Sequence, residues 1–230
     1  MRRSFIDERI DAMLEFCARQ KFALPPFALW SAAQYRSDPG AAQRIAEGGL
    51  GWNVVEFKPG GFASDGLTLI TTRMGNWRDL SKGRGRLYGE KIIMALDGQR
   101  TPHHYHVVKT EDILNRGGAR FIIELFKVDE AGARSSDCFD VIKDATMLNL
   151  GPGDHVTLEP GESIVLEPFI AHAFWAEGGP VLAGEVSLVN DDASDNYFVP
   201  PPSSPPPIEE DAPARYVTVR DHAALLGRKG

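Results

Sequence analysis

From residue 52 to residue 191 the chain is written in short apolar runs, each closed by a turn. This spacing limits the fold more than any other feature of the sequence. The runs are NVVEF, LTLITTR, KIIMALDG, RFIIELFKV, DVIKD, HVTLEPG, SIVLEP, HAFWAEGG and VLAGEVSLVND. They are rich in Val, Ile, Phe and Thr, which suit a pleated surface, and Gly, Asp and Pro punctuate them. Alternating helical patterns of the kind that join parallel strands are missing between them, so an all-β sandwich or barrel is expected. Ahead of this region, Ile6, Ile10, Met13, Leu14 and Cys17 recur at helical spacing. Residues 4–20 therefore read as an amphipathic helix, with Ser4 and Asp7 as a variant capping box. Pro25 and Pro26 close it, and a second short helix is expected from Pro39 to Glu47. Residues 199–207, VPPPSSPPP, cannot enter a central strand and read as an extended polyproline segment, either a linker or a lid across the barrel mouth. The expected division is a helical extension over 1–50, a barrel over 51–198, and a Pro-rich and C-terminal extension over 199–230.

Bulk properties exclude several classes of partner. The net charge is -7 and no basic stripe exists to neutralise phosphates, so nucleic acid is not expected. The same acidity is unpromising for an anionic membrane surface. No run approaches the roughly 18 apolar residues that span a bilayer, and MRRSFIDERIDAMLEF acquires Asp7, Glu8 and Asp11 where a signal peptide would be apolar. Cys17 and Cys138 are too few for a disulfide framework, which makes a reducing cytoplasm the default. A neutral small molecule is the expected partner.

The chemistry is concentrated between Gly98 and Gly118, GQRTPHHYHVVKTEDILNRGG. Three of the chain's 6 histidines fall within positions 103–106. His104 and His106 are two apart, so on a strand they share a face, while His103 faces away. Glu111 follows, and two imidazoles with a carboxylate suit a divalent transition metal. A fourth ligand must come from elsewhere. His172, after the turn Pro160-Gly161-Glu162 and an apolar strand, is the leading candidate, with His155 and His222 as competitors. Glu111 is an odd number of residues from His106, so a bulge or break between them must restore its direction. If that shift precedes Lys109, an ammonium shares the inward face.

Gly98 to Gly118 matches the first cupin motif, G-x5-H-x-H-x4-E-x6-G, at each specified position, and Gly161, Pro168 and His172 match the second in part. The chain thus resembles a divergent cupin: mainly β, a cupin-type β-barrel (jelly roll) with an N-terminal helical extension. More narrowly it resembles the D-lyxose isomerase family of sugar ketol-isomerases, through TPHHYHVVKTEDILNRGG, PGESIVLEP with HAFW, GEVSLVNDDASDN and IEED. The resemblance implies a homo-oligomer, expected as a homodimer, with one divalent ion per subunit. Mn²⁺ is the usual ion, and Fe²⁺, Co²⁺ or Zn²⁺ are alternatives. It also implies His104, His106, Glu111 and His172 as ligands, Lys109 as the metal-proximal lysine, expected as a catalytic residue that assists proton movement at substrate oxygen, and a catalytic carboxylate, Glu209 first and Glu185 second. The implied reaction is D-lyxose to D-xylulose, and also D-mannose to D-fructose, through a metal-stabilised enediolate.

These residues suit that chemistry. A divalent ion holding two neighbouring sugar oxygens stabilises developing negative charge, and a carboxylate can move the proton between C2 and C1. Trp77 and Trp175 are expected sugar-ring contacts and Asp195 a hydroxyl partner, against the simpler reading of tryptophans as core and DDASDN as a turn. Three rivals stand beside this reading. An Fe²⁺-dependent cupin dioxygenase would use the same ligands. A sugar-phosphate isomerase would need a basic pocket, for which Arg84, Arg86, Lys91 and Arg116 are available. A non-catalytic cupin would have little use for an intact ligand set.

Overall fold

A computed structural model describes residues 1–189, 191 and 194–227. Three helices lead the chain: α1 (Arg3–Arg19), α2 (Ala32–Ser37) and α3 (Pro39–Glu47). Eleven strands follow: β1 (Gly51–Glu56), β2 (Gly66–Arg73), β3 (Tyr88–Ala95), β4 (His104–Tyr105), β5 (Glu111–Lys127), β6 (Phe139–Lys143), β7 (Thr146–Leu150), β8 (His155–Leu158), β9 (Ser163–Leu166), β10 (Ile170–Leu188) and β11 (Tyr197–Phe198). A short helix, α4 (His222–Leu225), lies near the C-terminus. All strand pairs are antiparallel, in the order β1-β2-β3-β10-β5-β9-β6-β7, with β8 on β5 and β4 bridging β10 to β11. The mainly β barrel and leading helices expected from the sequence are both present.

Two apolar layers hold the fold together. Inside the barrel, Ile93, Ile113, Phe121, Ile123, Leu125, Leu158, Ile164 and Phe174 form one buried cluster. Outside it, Ile6, Ile10, Met13, Phe16 and Cys17 of α1 pack on Trp52, Val54, Ile70, Ile92 and Met94, the opposite face of β1, β2 and β3. Period-2 alternation therefore serves two cores on these strands, and each fully buried side chain contributes about 1.5–3 kcal/mol.

Beyond β4, β7 and β11, which match none of the apolar runs, the sequence reading differs from the structure at three places. Ser4 does not cap α1. Its N–H and hydroxyl donate to Asp211, at 2.9 and 2.6 Å, so a carboxylate from the C-terminal segment caps the helix instead. The helix expected over Pro39–Glu47 has those bounds, with Asp38 as N-cap, but α2 precedes it and was not expected. HAFWAEGG and VLAGEVSL lie on one strand, β10, with a register shift between Glu177 and Val181. Opposite that shift, Gly118 has φ +103, and a Cβ there would lie 2.3 Å from the Pro180 carbonyl oxygen.

The Pro-rich segment is tied at both ends. Val199 N–H donates to the His103 carbonyl at 2.8 Å, and the N-terminal amine donates to the Pro207 carbonyl at 3.0 Å. Beyond it, Glu209 forms a bridge with Arg2, and Arg3 binds Glu210 and Asp221. Among the described residues, no helix is long and apolar enough to cross a membrane.

Candidate metal centre and active site

Antiparallel pairing sets His172 of β10 opposite His104 of β4. His106 follows β4, and Glu111 opens β5, which also pairs with β10. One ligand atom from each of His104, His106, Glu111 and His172 falls within 4.8 Å of the others. The break in alternation falls at Val107 and Val108, before Lys109, so Lys109 and Glu111 share the inward face. His103 points the other way, onto Phe126 and Glu124. His155, the competitor, is exposed beside Trp175, and His222 is buried near Tyr35.

The three imidazoles are oriented alike. Nδ1 of His104 meets the Pro102 carbonyl at 3.2 Å, Nδ1 of His172 meets the Ile170 carbonyl at 3.2 Å, and Nδ1 of His106 meets the Asp195 carbonyl. A carbonyl only accepts, so each Nδ1–H donates and each Nε2 keeps its lone pair. Nε2 of His172 and of His106 then face Oε1 of Glu111 at 3.1 and 3.5 Å. None of these three buried atoms has a hydrogen-bond partner. Acceptors facing one another in a buried site repel unless a cation lies among them. The donor set, three imidazole nitrogens and one carboxylate, fits a divalent transition metal.

The local electrostatics keep these groups in ligand form. Burial, reinforced by His172 and His106, holds His104 well below the ordinary imidazole range and therefore neutral. Burial alone would raise Glu111, but the Lys109 ammonium and the facing imidazoles outweigh it and hold the carboxyl well below the usual range. For Lys109, burial acts downward, and Glu111 and Glu185 outweigh it, so the ammonium is held charged. Its Nζ lies 2.6 Å from Glu111 and 3.2 Å from Glu185. Lys91 reaches the same Glu185 oxygen at 3.2 Å.

A cavity of about 490 Å³ opens on this cluster, within the roughly 300–1,000 Å³ common for small-molecule sites. His104, Glu111, His172, Glu185 and Lys91 form its polar wall. Leu67, Leu69, Ile93, Ile113 and Phe174 form the apolar wall, and Pro202, Ser203 and Pro205 of the Pro-rich segment line its rim. Lys109 sits behind the two carboxylates and is only 2% exposed.

The other sequence-derived candidates fall elsewhere. Glu209 is exposed beside the start of α1 and is not brought to the cluster; the carboxylate on the cavity wall is Glu185. Trp77 is 45% exposed in a 3-10 turn over an adjacent cleft, so it contributes nothing to the cavity wall. Trp175 is out of phase with His172 and Phe174 and lies on the outer face, under the Arg100 guanidinium at 4.6 Å. Asp195 is buried, with its carboxylate occupied by backbone N–H groups rather than aimed into the cavity. From the sequence Lys91 reads only as part of a phosphate-binding set; the signal that puts it on the cavity wall is its phase, shared with Ile93 and Ala95 on an otherwise apolar strand.

Residues 1–222 match the family model described as D-lyxose isomerase. Two curated relatives, each named D-lyxose/D-mannose isomerase, are 39% identical to this chain. The one from Escherichia coli O157:H7 aligns over 96% of this chain and 98% of its own length, and that from Serratia proteamaculans over 98% and 100%. Among solved structures, the L-ribose isomerase of Cellulomonas parahominis has a TM-score of 0.57 at 13% identity, covering 91% of this chain and 98% of that one. The L-ribose isomerase of Acinetobacter sp. DL28 has a TM-score of 0.55 at 13% identity, covering 86% and 92%. These structures share the cupin-type barrel.

Proposed function

The chain belongs to the D-lyxose isomerase family, and from that premise we propose that it interconverts free aldoses and ketoses, D-lyxose with D-xylulose and also D-mannose with D-fructose. The observation that carries the proposal is the set of unpartnered Nε2 and Oε1 atoms converging on the cavity wall beside Glu185. His104, His106, Glu111 and His172 would hold one divalent ion, for which Mn²⁺ is our choice over Fe²⁺, Co²⁺ and Zn²⁺. When bound, such an ion supplies Lewis-acid stabilisation of negative charge on neighbouring sugar oxygens.

The chain's own groups then move the protons. Glu185 removes the C2 proton of the open-chain aldose. The electron pair released forms the C1–C2 double bond, and the former carbonyl oxygen O1 takes the hydroxyl proton of O2. The O2 carbonyl then forms as the C1–C2 double bond opens, and Glu185 returns its proton to C1, completing the ketose. Lys109, between Glu111 and Glu185, is the buried counter-charge to both, and Lys91 on the wall is positioned to donate to a sugar oxygen. The segment at Pro202, Ser203 and Pro205 forms the roof that limits water around the sugar.

A sugar phosphate is disfavoured by the wall. No arginine lines the cavity among the described residues, its lysine is engaged by Glu185, and Arg84, Arg86 and Arg116 are exposed. We further infer a cytoplasmic protein, in keeping with the free thiols Cys17 and Cys138, and a homodimer. Exposed Tyr88, Val108 and Val186, at the barrel end that carries residues 107–111, support such an interface. One experiment tests the function. Metal-stripped protein is re-supplied with Mn²⁺, Fe²⁺, Co²⁺ or Zn²⁺ and assayed for ketose from free aldoses and sugar phosphates, with oxygen uptake followed in parallel. Ketose formation from D-lyxose that depends on added metal is expected. Oxygen uptake without isomerisation, or turnover of phosphates alone, would refute the assignment.

A further inference from the structure

A regular strand that carried His106 inward would carry Glu111 outward. The chain avoids this by turning both Val107 and Val108 to solvent, 38% and 54% exposed. The turn leaves three consecutive N–H groups converging on one point, and Asp195 occupies it. Val107 N–H donates to Oδ1 at 2.7 Å and Lys109 N–H to Oδ2 at 2.9 Å. Val108 N–H is shared between the two oxygens, at 3.1 and 3.3 Å. The backbone carbonyl of the same residue accepts the Nδ1–H of His106. Asp195 is itself fixed by its own N–H, which donates to the Asp191 carbonyl at 2.9 Å. It is 7% exposed and is not part of the cavity wall.

From this geometry we infer that Asp195 is a positioning residue for the metal centre, acting through the 107–109 turn and through His106. It is not the sugar-hydroxyl partner that its place in a polar run suggests. A carboxylate is suited to the task, because three backbone donors in a concave turn form charge-assisted hydrogen bonds to it. Through the turn it sets the phase that brings Lys109 and Glu111 inward. Through its carbonyl it fixes the His106 ring with Nε2 toward the cluster, as outer partners of metal-bound histidines do. The inference rests on reading the four-residue cluster as a divalent metal site.

The test uses the full chain with Mn²⁺ and Co²⁺ as probes. Asp195→Asn preserves shape but turns an amide NH₂ toward donors, and Asp195→Glu retains the carboxylate. In metal-free protein, hydrogen exchange at the amides of Val107, Val108 and Lys109 reads the turn directly. Equilibrium dialysis of Mn²⁺ and the Co²⁺ absorption spectrum read the centre. For Asp195→Asn we expect faster exchange at those amides, an altered Co²⁺ spectrum and Mn²⁺ affinity weaker by about 10–100-fold, the usual effect of losing an outer partner. Asp195→Glu should recover part of the affinity. Unchanged Mn²⁺ affinity and Co²⁺ spectrum with only a raised KM for the sugar would overturn the inference and return Asp195 to substrate binding. Loss of Mn²⁺ in proportion to loss of folded protein, with a normal Co²⁺ spectrum in the folded fraction, would also overturn it, leaving a purely structural residue. Wild-type protein that binds neither ion would defeat the metal-site reading itself, a result distinct from both.

Discussion

Replacing Lys109 with Met keeps the apolar stem of the side chain and removes its charge. The Lys109 Nζ lies 2.6 Å from Glu111 and 3.2 Å from Glu185, and the residue is 2% exposed. At an effective dielectric constant of about 20, unit charges at these separations attract by roughly 6 and 5 kcal/mol. Desolvating the ammonium cancels a large part of that gain, and repulsion from Lys91 removes more. What the substitution exposes is the cost of leaving a carboxylate buried without its counter-charge, about 3–5 kcal/mol for breaking a pair of this kind. Glu185 retains Lys91 at 3.2 Å, so Glu111 carries most of the loss. Urea unfolding of metal-free protein, extrapolated to water, measures the difference. At 2–4 °C per kcal/mol for a chain of this size, it corresponds to roughly 6–20 °C in melting temperature. Metal-saturated turnover should also fall, but by less than on removing the Glu185 carboxylate itself, because Glu185 loses one of the two ammonium groups that hold it in place and keeps Lys91. A metal-free variant within about 0.5 kcal/mol of wild type, the range of ordinary surface changes, would show that Lys109 is not the counter-charge of this site.

Exchanging Glu185 for Gln should lower ketose formation about 10²–10⁴-fold with bound metal retained, whereas Glu209→Gln should stay within about twofold; the reverse order would move the proton-transfer role to the C-terminal segment. In deuterated water the ketose should carry solvent label at C1, and a product without label would replace the Glu185 proton transfer with a hydride shift. Truncating Ile10, fully buried between α1 and the outer face of β1–β3, to Ala should cost about 2–5 kcal/mol in urea unfolding while leaving metal affinity unchanged. A last prediction concerns acid stability. For Asp221 burial acts upward, but hydrogen bonds from Arg3 and Thr218 outweigh it, and for Glu210 the Arg3 hydrogen bond dominates, so both carboxyls are held below their ordinary values. Groups depressed in this way add stability above their unfolded pKa, near 4, and lose it as pH falls through the folded value. Arg3→Met should therefore flatten the decline of the urea midpoint between pH 7 and pH 3, and an identical decline in both proteins would remove Arg3 from the acid limb.

Periodicity made the barrel legible, because alternation on strands and a 3.6-residue stripe on a helix are written in adjacent residues. The metal set was legible for a related reason: His104, His106 and Glu111 lie within eight positions, and the odd spacing to Glu111 already required a break. The residues that escaped are those whose roles depend on distant partners. Nothing near Ser4 announces that Asp211 caps its helix, whereas the outward side of Trp175 could have been read from its odd spacing to His172. Lys91 reads as one member of a basic set for phosphate until β3 is laid against β10 and its ammonium meets Glu185.

By itself, then, the sequence determined what short-range geometry can encode: the strands, the leading helix, three of the four ligand side chains and the need for a kink between them. The tertiary structure decided which partners those groups meet. Register between β4 and β10 brings His172 to His104, and strand pairing puts Glu185 on the cavity wall where Glu209 is not. The position of a turn 88 residues further along brings Asp195 onto the N–H groups of the ligand-bearing loop. Hydrogen bonds and ion pairs act only over a few ångströms, so a residue's role is fixed by neighbours that folding, rather than chain order, supplies.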